Sequence, residues 1–472
     1  MNDEFDITDI QGNILRGYRM GQVRHLVLEV TDRRKARAFL AAALSGDSDT
    51  APQITRESSE KWSEKPDLCF NIGITHAGLR ALGVPAADLQ SFPTEFREGM
   101  TKRAQKLKDF GDSAPIKWAP PFDTPDRVHL VASTYANDTA HLDRVQAQVG
   151  QAFGVLAARD GRNLAEDKVF FGYRDSISQP RFEHVLNPLR DDDREPENPL
   201  GTILLGHHTR YEGIRYRVPS PAKLGRNGAF NAFRVLKQDV VAFEDYLTRA
   251  ATYLMGHPRV DDLLPQGAEK TVFGGLDRHA ALREVVAAQM CGRWRNGTPY
   301  ETSPYSTDPE TPAPGHLTNF DYTERSLCPA GAHTRRANPR NGPIVQRMAH
   351  YSRRIVRRGM SYGPDFDPAN PENDKDAERG LLGNFLCANL GAQFEAVMCD
   401  WINLGLQDPD ITGANDPILG ANVPETSWFD LALKDGGTIR LRGFPRFITT
   451  RGGAYTFLPS MTALDHLSKL QS

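Results

Sequence analysis

Cysteine is scarce: five residues in 472, at Cys69, Cys291, Cys328, Cys387 and Cys399, with no CxxC pair among them. An odd and scattered set excludes both a disulfide framework and a cysteine-rich zinc site, and predicts a reducing compartment. Long apolar runs are missing as well, none approaching the roughly 18 residues of a membrane span. The opening Met1-Asn2-Asp3-Glu4-Phe5-Asp6 lacks the basic and apolar regions of a secretory leader, so a cytoplasmic protein with no membrane partner is expected. Net charge is close to zero, with 57 Lys and Arg against 60 Asp and Glu. No global positive field marks the chain as a nucleic-acid binder, and any basic patch has to be local.

What is present is a globular composition, too long for one ordinary domain, which predicts two or three domains or one two-lobed unit. Hydrophobic residues at 39%, with 23 Phe, 13 Tyr and 5 Trp, supply the core. His25 to Val30 reads as a strand and Arg33 to Leu44 follows with helical spacing. Cys69 to Ile74 leads to an N-cap at Thr75, and Val128 to Ala132 leads to a helix from Asp138 to Phe153. Short strands interleaved with helices predict an open α+β layer. The charged, Pro-containing stretch Arg190 to Asn198 reads as the lobe boundary. Beyond it, a strand over Phe230 to Leu236 and an amphipathic helix over Asp239 to Met255 repeat the earlier order, as in a duplication. Thr298 to Pro314 reads as an ordered surface loop, Asn384 to Leu390 as a strand and Ala392 to Leu404 as a helix.

A second absence is local. Between Ser326 and Tyr362 there is no Asp or Glu, while Arg335, Arg336, Arg340, Arg347, Arg353, Arg354, Arg357 and Arg358 fall inside, together with His333 and His350. Three readings compete: arginines holding an anionic ligand or cofactor, a nucleic-acid contact, and a basic surface that meets acidic stretches elsewhere in the fold. The other concentration is Phe170 to Pro180, read as an aromatic strand running into a Pro-terminated turn. Asp175 within it is expected to be partly desolvated, which would raise its pKa and suit proton exchange; the competing reading is a turn Asp bonded to its own backbone. Pattern and spacing give a carboxylate, a histidine and an arginine cluster, and no reaction.

The same residues carry a likeness. Phe171-Gly172-Tyr173-Arg174-Asp175-Ser176-Ile177-Ser178-Gln179-Pro180 resembles the GxxDG-containing signature of dye-decolorizing peroxidases. Cys328-Pro329-Ala330-Gly331-Ala332-His333-Thr334-Arg335-Arg336-Ala337-Asn338-Pro339-Arg340 resembles the segment that supplies their haem-ligating histidine. Ile10 to Gly17, Gly292 to Gly297, Arg357-Arg358-Gly359 with Tyr362-Gly363, and Gln393-Phe394-Glu395 followed by Trp401 extend the likeness over essentially the whole chain, nearest the longer members of that family.

The resemblance implies an α+β fold of two ferredoxin-like modules with antiparallel sheets and peripheral helices. Residues 1–190 would form the N-terminal module, ending with the distal segment, and 191–472 the C-terminal module, which mainly holds the haem. One haem b per chain is implied, with His333 as its iron ligand and Arg340 as a propionate partner. Asp175 matches the distal acid-base residue and Arg357 the distal arginine. Glu395 and Asp400 are alternative acceptors for the other ring N–H of His333, and Tyr362 and Trp401 match positions that relay electrons unless they are ordinary packed aromatics. The implied activity is reduction of hydrogen peroxide through an oxoferryl intermediate with oxidation of dyes, phenols or other bulky aromatic reductants, at an acidic optimum because a carboxylate base stays ionised there. The alternative is a haem-binding or haem-handling protein with weak turnover. Two positions depart from the family pattern: Ser176 replaces the last Gly of the signature, at a cost of about 1 kcal/mol if the backbone there is left-handed, and Gly359 stands where some members place a distal asparagine.

Overall fold

The computed structural model describes residues 5–60, 62–185, 196–211, 213–269, 275–304, 317–322, 326–342, 351–371 and 377–470. Its first four strands are β1 (Gln22–Glu29), β2 (Leu68–Ile74), β3 (Leu130–Ala136) and β4 (Gly154–Arg162), with the helix Arg33–Ser45 after β1 and the helix Thr139–Ala152 after β3. The helices start where the sequence supplies caps: Asp32 accepts from the amides of Arg34 and Lys35, and Asp138 from that of His141. Gly46 ends the first helix at φ +79°, a left-handed conformation glycine adopts without penalty. Ala36, Phe39, Leu40 and Ala43 form its buried stripe, at the spacing a helix requires to face a sheet. Thr75 caps a short helix as expected, accepting from the Gly78 amide.

The second set begins with β5 (Ala229–Gln238), followed by the helix Val240–Met255 capped by Asp239, then β6 (Val356–Tyr362) and β7 (Gly380–Cys387). A two-stranded sheet, β8 (Trp428–Ala432) and β9 (Thr438–Arg442), precedes β10 (Ile448–Leu458). Within the first set the sheet order is β4-β1-β3-β2, and within the second β10-β5-β7-β6. Counting strands by their place in each half, both orders are 4-1-3-2, the ferredoxin-like arrangement of a βαββαβ unit. The repeated strand-helix order in the sequence is therefore a structural duplication.

The expected open layer is corrected here. The two antiparallel sheets join at Phe457↔Ile74 and at Arg162↔Ser361 and close into one eight-stranded barrel. Closure removes the free edges an open sheet would expose, and it explains why β3 and β5 are buried almost throughout: one face lines the barrel while the other lies under helices. A second apolar cluster forms outside the C-terminal sheet. It brings Phe171, Phe243, Val285, Tyr322, Ala332 and Ile418 into one body and sets the ground for the site.

Three local expectations shift. Phe170 and Phe171 lie in a turn tied by the isolated bridge Lys168↔Arg174, the Phe171 ring packing on Phe243 and the Phe170 ring under the Arg379 guanidinium rather than along a sheet. The late strand starts earlier, at Gly380, and the helix after it is π-helical over Leu390–Glu395 and Val397–Asn403, a wide winding that tends to mark functional segments. The lobe boundary and the Thr298 to Pro314 loop lie largely outside the described residues, as do Arg347 and His350. Among the described residues no helix is long and apolar enough to cross a membrane, and all five cysteines are free and buried.

Candidate active site

His333 opens the short helix His333–Ala337. Its Nδ1 lies 2.9 Å from Oδ2 of Asp416, and its side chain keeps 27% exposure while Asp416 keeps none. Asp416 is fixed in turn by the amides of Ile418 and Leu419, both donating to Oδ1 at 2.8 Å. Burial alone would push its carboxyl up, but His333, Arg336 and the Leu419 amide together hold it below the ordinary value. Arg336 is buried one turn along and donates to the carbonyls of Gly331, Trp401 and Ala414, so it ties the histidine helix to the π-helix and to the Asp416 loop. This leaves Nε2 of His333 with no partner among the described residues. An imidazole oriented by a buried carboxylate through one nitrogen is arranged to ligate a metal through the other.

Arg357, at the start of β6, is joined to the signature loop. Its amide donates to Gln179 Oε1 at 3.1 Å, Gln179 Nε2 returns a bond to its carbonyl at 2.8 Å, and its Nη2 donates to the Ser178 carbonyl at 2.8 Å. The loop that carries Asp175 is thus clasped to β6 through Ser178 and Gln179, about 180 residues away in the sequence. Asp175 is exposed, which corrects the expected desolvation: after Tyr173 buries its ring the chain turns outward, and among the described residues the Asp175 amide alone is engaged, donating to Asp167 O at 2.8 Å. Ser176 stands at φ +59°, the left-handed region that the family glycine would occupy freely.

Arg340 is 5% exposed and donates Nη1 to the carbonyls of Thr318 at 2.8 Å and Phe320 at 3.1 Å, with its guanidinium 4.0 Å from the Phe320 ring centroid. The sequence reading missed Arg293, which is buried against the same ring and donates to the carbonyls of Gly297 and Leu317. Burial and the nearby charges of Arg340 and Arg357 pull its pKa down to about 10. Arg293 has no carboxylate partner among the described residues. A buried guanidinium without a carboxylate is suited to an anion placed beside it.

The proposed supports of His333 are corrected. Glu395 is fully buried and taken by Arg103, at 2.9 and 2.7 Å, and by the Tyr455 hydroxyl at 2.9 Å. Asp400 pairs with Arg353 at 3.1 Å. Both carboxylates are engaged by these other groups, and the histidine is bonded to Asp416 instead. Asp416 reads in the sequence as a turn residue, an Asp before Pro417 in a Gly- and Asn-containing loop, and no local signal ties it to a histidine 83 positions earlier. Tyr362 and Trp401 are 8% and 4% exposed, the first bonded to Glu378 and the second under the Arg353 guanidinium.

Residues 9–163 match the family model of the DyP dimeric alpha+beta barrel domain. Over 97% of its length the chain is 28% identical to a dye-decolorizing peroxidase of Exidia glandulosa, covering 86% of that protein. The solved dye-decolorizing peroxidase in complex with 2,6-dimethoxyphenol superimposes at TM-score 0.77 and 26% identity, covering 98% of this chain and all of that one. Residues 9–163 thus match the DyP barrel domain, and the chain as a whole is similar to dye-decolorizing peroxidases almost end to end. A dye-decolorizing peroxidase of Auricularia auricula-judae gives the same picture at TM-score 0.79 and 25% identity. So does a multifunctional dye peroxidase of Amycolatopsis, 27% identical and matched over 96% of its length.

Proposed function

We propose that this protein is a dye-decolorizing peroxidase that holds one haem b per chain through Nε2 of His333, and reduces hydrogen peroxide with electrons from dyes, phenols or other bulky aromatic reductants. The observation that carries the reading is His333 held by buried Asp416 with its other nitrogen unengaged, in a site where Arg293, Arg340 and Arg357 gather charge suited to an anionic cofactor. When bound, the haem supplies an iron centre that accepts oxidation by peroxide and passes it to the reductant one electron at a time.

The protein's own part is positional and electrostatic. Asp416 keeps a proton on Nδ1 of His333 and makes the imidazole more basic. The Asp175 carboxylate takes a proton from one peroxide oxygen and returns it to the other, and the Arg357 guanidinium offsets negative charge on the departing oxygen. Arg293 and Arg340 would neutralise the propionates from an apolar wall. The two halves, 1–190 and 191–472, are read as the ferredoxin-like modules, with the haem against the second; the repeated 4-1-3-2 strand order supports this division.

The test is an absorption spectrum of the haem-reconstituted protein before and after one equivalent of peroxide, for wild type and His333→Ala. A Soret band that shifts with peroxide and is lost or weakened in the variant supports the reading. A second reading, a haem-handling protein of weak turnover, draws on Ser176 at φ +59° beside Asp175, and predicts a Soret band that peroxide leaves unmoved. Asp175→Asn with full turnover at acid pH would remove Asp175 from the mechanism. Electron entry through Tyr362 or Trp401 is tested by replacing each with Phe and comparing a bulky dye with a small reductant; equal loss on both removes the relay.

A further inference from the structure

The barrel interior is not uniformly apolar. At the end closed by Gly12 and Asn13 it contains a cavity of about 30 Å³, lined by Asn71 and Ser133 from the first half and by Asn231, Asn384, Thr456 and Arg358 from the second. That volume admits about two water-sized centres. Most of the polar lining is spent internally. Asn71 accepts from the Tyr18 hydroxyl at 2.9 Å and donates to Gly12 O at 3.2 Å. Ser133 Oγ meets His25 Nδ1 at 2.8 Å, and Arg358 donates Nε to Asn13 O at 2.9 Å.

Two groups are not spent. Asn231, 4% exposed, donates Nδ2 to Asn384 Oδ1 at 2.8 Å and to Thr456 Oγ1 at 3.3 Å, which leaves its Oδ1 buried without a partner. Nδ2 of Asn384 also has no partner among the described residues. Exchanging O and N in both amides preserves the pair, one acceptor and one donor.

We propose that this chamber binds a small neutral hydroxyl molecule that both donates and accepts hydrogen bonds, filled by two waters or by one hydrogen peroxide. A buried amide oxygen needs a donor, which a halide cannot offer. The enclosed Arg358 guanidinium, with no hydrogen-bonded carboxylate among the described residues, excludes a cation, and an apolar molecule leaves both amide groups unsatisfied. Alternation along β6 sets Arg358 toward the chamber and Arg357 to the opposite face, so the chamber shares one strand wall with the proposed peroxide-handling arginine. The peroxide source rests on the peroxidase reading; the water source does not.

The test uses crystals of the haem-loaded protein in three states: untreated, soaked in hydrogen peroxide, and soaked in sodium bromide. Two peaks within hydrogen-bond distance of Asn231 and Asn384 in the untreated crystal are expected, and a single elongated peak after the peroxide soak assigns the second source. Two unchanged peaks after that soak overturn the peroxide source. An empty chamber, or an anomalous bromide peak inside it, overturns the proposal. In solution, oxygen-17 relaxation counts long-lived waters, and the count should fall by two in Asn231→Leu or, if that variant does not fold, in Asn384→Leu; an unchanged count overturns the proposal too. Protein that takes up no haem would sink the peroxidase reading and still allow both water measurements.

Discussion

His25 gives an acid-stability prediction that can be worked to a number. It lies on β1 inside the barrel, 1% exposed, with Nδ1 2.8 Å from Ser133 Oγ and its ring against Phe233 and Tyr135 at centroid distances of 5.0 and 6.2 Å. Burial is the dominant cause of a pKa pulled down to about 3, opposed weakly by Asp160. In the unfolded chain the same ring titrates near 6.5, so below that pH the unfolded state binds a proton that the native state refuses. The contribution is therefore complete above about pH 6.5 and is lost as pH falls toward about 3, at about 1.4 kcal/mol per pH unit. Between pH 7 and pH 4.5 the loss comes to roughly 2.5 kcal/mol, a large share of a typical folding free energy. His25→Gln keeps a neutral hydrogen-bonding group and has nothing to titrate. Urea unfolding of both proteins at pH 7.0 and 4.5 should show the wild type losing roughly 2.5 kcal/mol more than the variant across that interval; carboxylates common to both cancel in the difference. Equal pH dependence in the two proteins would refute the reasoning, and would mean that the ring is protonated, or reached by water, inside the barrel. The same interval contains the acidic range in which an Asp base is expected to work, so activity and stability are predicted to pull apart there.

Further outcomes are expected at the site and its supports. Asp416→Asn removes the charged acceptor of His333, and haem affinity should fall about ten- to hundredfold with a rise in the ferric/ferrous midpoint potential; unchanged potential by spectroelectrochemistry would deny Asp416 its role. Ser176→Gly relieves the left-handed penalty of about 1–2 kcal/mol at the price of glycine's extra chain entropy, about 0.5–1 kcal/mol, so denaturant unfolding should show a net gain of about 0.5–1 kcal/mol. Arg103→Met strips Glu395, which has no exposure, of its bidentate partner, and should cost about 3 kcal/mol by the same measurement, whereas a loss under 1 kcal/mol would show that solvent already screens the pair.

The sequence by itself determined most of the local elements and the likeness to a family. Helix caps at Asp32, Thr75, Asp138 and Asp239 and the stripe Ala36, Phe39, Leu40, Ala43 are short-range patterns whose physics acts within one or two turns. The likeness of the Asp175 and His333 segments to known peroxidases was equally legible, because both are contiguous runs. The likeness left open whether the backbone at Ser176 is left-handed, and the fold answers it at φ +59°. Tertiary structure alone decided the rest. Whether two antiparallel sheets stay open or close depends on edge pairings such as Phe457↔Ile74, between residues 383 positions apart, and no window of sequence contains both. The family likeness offers Glu395 or Asp400, on the late helix, as the carboxylate behind His333. Packing instead gave Glu395 to Arg103 and Tyr455, and delivered Asp416 from a turn. The acid-free arginine segment was legible as charge, but only the fold separated Arg336 and Arg358, spent on buried carbonyls, from Arg357 beside the signature loop. Composition fixes how many guanidinium groups there are; burial and the direction of each side chain on its strand or helix fix which of them a ligand can meet.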